Sequence, residues 1–237
     1  MDGMLVVNKP VGWTSFDVCN LIKKRFREKK VGHTGTLDPM ASGVLILLLG
    51  RFTKLAQEFM NQPKFYVGTL ELGKKTDSQD LDGRVTGEKP WEHVTLAKVE
   101  EVLERFRGEL DQVPPMCSAL KYKGKRLYEL HLAGKEVERA SRRVTVYSFH
   151  LRRFEAPLMD FDVTVSRGTY IRTLAHDLGE ALGTYAYLKA LCRHAVGSLT
   201  LDDAVDALAL KVLDNPSVFR ELVHSHTRKR SCAVVTL

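Results

Sequence analysis

The chain has 237 residues, 44% of them hydrophobic, and 36 Lys and Arg against 29 Asp and Glu, for a formal net charge of +7. That composition supports an ordinary core in one large domain or two small ones, and its longest apolar run, residues 44–49, is far too short for a membrane span. The basic balance favours a polyanionic partner, most simply nucleic acid, while four scattered cysteines without a Cys-x-x-Cys pair suggest neither a zinc site nor a disulfide framework.

In chain order, residues 4–8 are predicted as a short strand. Thr14 or Ser15 then caps a helix with Asp17 in its first turn and Val18, Leu21, Ile22 and Phe26 at helical spacing. This helix ends in the basic run 23–30 and leads into the glycine-rich segment GHTGTLDPMASG, residues 32–43. Residues 44–49 are expected to form a buried strand, 52–60 a helix and 64–72 a strand. Residues 76–87 form a polar, turn-rich connection. An amphipathic helix is predicted over 95–106, with Leu96, Val99, Leu103 and Phe106 on one face, and a short helix over 126–132. Residues 143–154 and 158–166 suggest paired strands. Helices are expected at 171–182, 185–192 and 202–210. Strands and helices are interspersed without βαβ regularity, which favours a mixed, largely antiparallel α/β (α+β) sheet over a doubly wound one. Two lookalikes carry little chemistry. Residues 68–75 nearly spell a P-loop, but the Ser or Thr after the Lys is missing and the spacer alternates like a strand. His224 and His226 are a weak metal pair in an expected tail.

Asp38 is the only carboxylate in the 32–43 segment. Gly32, Gly35 and Gly43 permit tight turns, and Pro39 biases Asp38 toward an extended backbone. Such a loop, anchored to a core strand, can present a carboxylate to a substrate. On composition alone an Asx turn or a helix cap is the commoner explanation.

Five segments in order carry a family resemblance: VNKPVGWTSFD (7–17), GHTGTLDP (32–39), TDSQDLDG (76–83), VPPMCSALKYKGKRLYE (113–129) and RGTYIRTLAHDLG (167–179). Together they resemble the TruB-type tRNA pseudouridine synthases in a short form lacking most or all of the C-terminal RNA-binding domain. The resemblance implies the pseudouridine-synthase fold, a curved, mostly antiparallel mixed sheet flanked by helices with a central active-site cleft. It also implies a catalytic domain at 1–210 and a short tail at 211–237. The implied activity is isomerisation of a uridine, U55 in the T loop of tRNA, to pseudouridine. Asp38 would be the nucleophile and Arg172 its ion-pair partner. Tyr66 would stack on the base and serve proton removal. His33 would help displace the base, Tyr170 and Leu191 would line the uracil pocket, and Lys9 would place the loop. Uracil C6, ribose C1′ and a glycal route all remain open as the course of attack.

Isomerisation needs no redox change and no added water, so no cofactor and no metal are expected. The partner is tRNA through its T arm, recognised by shape, splayed bases and phosphate contacts. The N-terminus lacks the basic and long apolar regions of a secretory signal, so a cytoplasmic protein without membrane attachment is expected, and a monomer is taken by default. Cys117 stands where the family more often has an aromatic residue, which implies altered packing and no new chemistry. Three rivals remain: a non-catalytic RNA-binding or tRNA-folding protein, a guide-RNA-dependent synthase, and a nucleosidase that would release free uracil.

Overall fold

A computed structural model describes residues 1–229. The elements are β1 (Gly3–Lys9), α1 (Ser15–Arg25), β2 (Val31–His33), β3 (Ala41–Leu49), a 3-10 segment (Gly50–Leu55) running into α2 (Ala56–Asn61), β4 (Lys64–Leu72), β5 (Lys74–Thr76), β6 (Val85–Glu88), α3 (Leu96–Arg105) and β7 (Gly108–Gln112). They continue through β8 (Lys121–Tyr122), β9 (Lys125–Arg126), α4 (Leu127–Leu132), β10 (Arg142–Glu155), β11 (Leu158–Val165), α5 (Ile171–Ala181), β12 (Ala186–Val196), β13 (Leu199–Thr200), β14 (Val205–Asp206), α6 (Ala207–Val212) and α7 (Pro216–Arg228). The main sheet runs in the order β14-β1-β3-β12-β4-β11-β10-β7, with β2 added to β3 and β13 to β12. β1–β3, β2–β3, β7–β10, β10–β11 and β12–β13 pair antiparallel, whereas β14 joins β1 and β12 joins β3 in parallel. The fold is therefore the mixed, mostly antiparallel α/β class that the interspersed pattern predicts.

The described residues divide into two compact units, one built from residues 1–67 and 191–229, the other from Gly68–Ala190. In the first, β1 and β3 pair from Gly3↔Leu49 to Lys9↔Gly43. Met4, Val6, Val44, Ile46, Leu48 and Phe59 form its core, with Val196 and Leu199 from β12 and β13. α1 begins where expected: Thr14 Oγ1 accepts from Asp17 N at 3.1 Å, and the Asp17 carboxylate accepts from Thr14 N at 2.8 Å. Residues after 210, expected to be a tail, include α7, which buries Phe219 and Val223. The Phe219 ring stacks on Phe26 at 3.7 Å. Arg228 lies in that helix and Lys229 pairs with Asp203 at 2.5 Å, while Arg230 and Cys232 lie outside the described residues.

In the second unit, β10 and β11 form the expected pair and Phe149 packs edge-on to Phe161. α3 buries Val99, Val102 and Leu103, but Leu96, expected on that face, is half exposed. The turn-rich connection holds the β5–β6 hairpin. The P-loop lookalike is strand: residues 68–72 lie in β4 with alternating burial.

The expected helix at 185–192 is the strand β12. Its Ala, Leu and Lys suit a helix, yet residues 191–193 pair with β3 and 195–196 with β13, so sheet pairing overrides local propensity. The expected 52–60 helix begins as a 3-10 segment. The expected 202–210 helix starts only at Ala207, after a 3-10 turn and β14.

Candidate active site

The segment carrying Asp38 leaves β2 after His33 and enters β3 at Ala41. Its backbone is tied down along its length. Leu37 N donates to Ser15 Oγ at 2.8 Å and Ser15 Oγ donates to Leu37 O at 3.1 Å. Gly12 N donates to Pro39 O at 2.8 Å and Ala41 N to Asp38 O at 3.1 Å. Two buried cations complete the frame. Lys9 Nζ donates to Trp13 O at 2.6 Å, Pro10 O at 2.9 Å and Pro39 O at 3.5 Å. Arg193, on β12, donates from Nε to Val44 O at 2.7 Å and from Nη2 to Gly35 O at 3.2 Å. Burial of both cations is tolerable because carbonyl oxygens replace their water.

The electrostatics tie these groups together. Burial pushes the Lys9 ammonium down to about 8, opposed by the Asp38 carboxylate and reinforced by Arg193. His33 is held below the ordinary imidazole value by burial and then by Arg193, which favours the neutral ring suited to stacking. Asp38 itself is half-buried. Of the other residues expected here, Tyr66 is buried on β4 and Leu191 is buried on β12, in register with Ala41. Lys9, His33, Asp38, Tyr66 and Leu191 thus belong to the first unit.

Tyr170 and Arg172 belong to the second. Arg172, in the first turn of α5, is 3% exposed. Its Nη1 lies 3.2 Å from Asp80 Oδ2 and donates to Ser78 O at 3.1 Å, and its Nη2 donates to Cys117 O at 2.9 Å. Asp80 is held in turn by Ser78 Oγ and by Asp82 N at 3.1 Å, and Thr76 Oγ1 donates to Asp80 O at 2.8 Å. The acidic TDSQDLDG segment therefore supplies the counter-charge and a carbonyl that orient this guanidinium. Cys117 contributes its backbone oxygen. Tyr170 is clamped by Gln112, whose Oε1 accepts from Tyr170 N at 2.8 Å and whose Nε2 donates to Tyr170 O at 3.0 Å. The Arg142 guanidinium lies 4.6 Å from the Tyr170 ring centroid.

Asp80, Gln112, Arg142 and Arg193 are absent from the sequence reading. Asp80 is one of several acids in TDSQDLDG, and nothing local distinguishes it from the others. Arg193 was hidden because its strand looked helical. Among the described residues no helix is long and apolar enough to cross a membrane, and no group of three or more His, Cys, Asp or Glu is placed to hold a metal.

Residues 23–171 match the family model described as TruB family pseudouridylate synthase (N terminal domain). The chain is 46% identical over 218 residues to a tRNA pseudouridine synthase B of Bordetella avium, covering 91% of this chain and 89% of that protein. It is 44% identical over 223 residues to a tRNA pseudouridine synthase B of Opitutus terrae, covering 94% and 92%. Among solved structures, a chain of the archaeal box H/ACA sRNP Nop10-Cbf5 complex superposes with a TM-score of 0.70 at 26% identity, over 98% of this chain. This chain spans 62% of that one.

Proposed function

The chain belongs to the TruB family of pseudouridylate synthases, and from that premise we propose that it converts a uridine of tRNA, U55 in the T loop, to pseudouridine. The observation that carries this reading at the site is the Asp38 loop, locked by Ser15 and two buried cations so that a single carboxylate is presented on fixed backbone. The reaction breaks the C1′–N1 bond, turns the uracil and forms a C1′–C5 bond, with loss of the C5 proton balanced by protonation of N1. Asp38 is the nucleophile, and Arg172 is its cationic partner. The Arg172 guanidinium suits that role, since Asp80, Ser78 O and Cys117 O fix its orientation. Tyr66 stacks on the base and takes part in proton removal. Neutral His33 fills the space the extruded base leaves, and Tyr170 and Leu191 bound the uracil. Lys9 sets the loop. The protein acts as a monomer in the cytoplasm on the T arm.

Tritium release from a T-arm stem-loop labelled at uridine C5 tests this directly. Release by the wild type and none by Asp38→Asn is the expected result. Tight binding of the stem-loop without release by folded wild type would overturn it in favour of a binding protein or a synthase requiring another RNA. Free uracil in the products would make it a nucleosidase.

A further inference from the structure

We infer that Arg193 is a positioning residue for the Asp38 loop: its planar guanidinium bridges the carbonyls of Gly35 and Val44 and so sets the separation of the loop's two arms. The inference rests on reading Asp38 as the nucleophile. Arg193 sits on β12 in parallel register with Gly43. There the two backbones approach so closely that a Cβ on Gly43 would lie 2.3 Å from the Arg193 carbonyl oxygen, and Gly43 adopts φ +109°. From that point the side chain reaches one anchor before Asp38 and one after it. The outgoing arm is held at Val44 O by Nε, and the incoming arm at Gly35 O by Nη2. A rigid fork fixes the distance between two acceptors in a way that a flexible ammonium does not.

Packing alone does not account for the residue. At 3% exposure a guanidinium is costly to bury, and an aliphatic side chain would fill the volume without that cost. The cation also acts beyond its hydrogen bonds, since it lowers the proton affinity of both Lys9 and His33. One buried charge thus orders the loop on both sides of the carboxylate and favours a neutral His33 ring.

The test compares wild type, Arg193→Lys and Arg193→Ala as full-length proteins. The readouts are stem-loop affinity, single-turnover rate and hydrogen exchange in residues 34–45 against β1. Arg193→Ala is expected to lose about 100-fold in single-turnover rate, with affinity within about threefold of wild type. Exchange should quicken in 34–45 and not in β1. Millimolar guanidinium should restore much of the rate to Arg193→Ala, and ammonium should not. Arg193→Lys should fall between the two. A rate within about threefold of wild type in Arg193→Ala overturns the inference. So does a loss accompanied by equal quickening of exchange in β1 with no guanidinium rescue, which would make Arg193 an ordinary core residue. A wild type that does not isomerise uridine would instead overturn the proposed function, and the exchange pattern would still decide whether Arg193 anchors the loop.

Discussion

Arg172 and Asp80 are 4% and 5% exposed and lie 3.2 Å apart, so each offsets charge on the other out of reach of water. Asp80→Asn should remove a buried counter-charge from Arg172 and cost about 3–5 kcal/mol of stability, read as a shift in the urea midpoint. An unchanged midpoint would mean that the carbonyls of Ser78 and Cys117 suffice. Arg172→Lys should lose turnover while remaining folded, because one ammonium cannot face Asp80, Ser78 O and Cys117 O in a fixed plane. Near-normal turnover in that variant would count against Arg172 as the partner of Asp38. Asp38 and Arg172 stand out in the sequence through motifs. Their supports do not, because Asp80 and Arg193 act through distances that no local pattern encodes.

Among the elements, α7 does work that its place near the end of the chain does not advertise. β14 meets β1 only at Val7 and Asn8. Further along, Met4 N donates to Thr227 Oγ1 at 2.9 Å and Val6 N donates to His226 Nδ1 at 3.1 Å, so helix side chains satisfy an otherwise open strand edge. His226 can accept only while Nδ1 is unprotonated. Burial holds it below the ordinary imidazole value, Lys229 lowers it further and Asp203 opposes. A depressed imidazole contributes stability that is fully present above the unfolded value near 6.5 and is lost as pH falls through the folded value. The melting temperature should therefore fall as pH drops below about 6.5. His226→Gln, whose amide oxygen can accept without titrating, should fall less steeply. His33 and His176 are depressed in the same direction, so the difference between variant and wild type isolates His226. Parallel curves would remove the histidine from the account. β12 teaches the converse lesson about elements: the segment is helix-like in composition and becomes a strand because β3 and β13 take up its backbone groups.

For the whole molecule, a net charge of +7 bears on RNA affinity through counterion release. Stem-loop affinity should fall steeply and linearly in logarithmic salt concentration. Lys24, Lys29 and Lys30 are exposed in the stretch of chain that precedes β2 and the Asp38 loop. Replacing all three with Gln should lower the slope by about one for each lysine that meets a phosphate, with single-turnover rate at saturating RNA unchanged. An unchanged slope would place the RNA elsewhere. The sequence by itself determined the class of fold, most elements of local origin, the Asp38 loop and the family, because helix caps, alternation and ordered motifs are written in neighbouring residues. Only the tertiary structure decided that 186–196 is a strand, that residues 216–228 fold back as a helix on β1, and that Arg193 and Asp80 are the buried charges fixing the loop and Arg172. Those outcomes depend on which backbone groups and charges come together from distant parts of the chain, and burial makes their pairing obligatory only once the fold has formed.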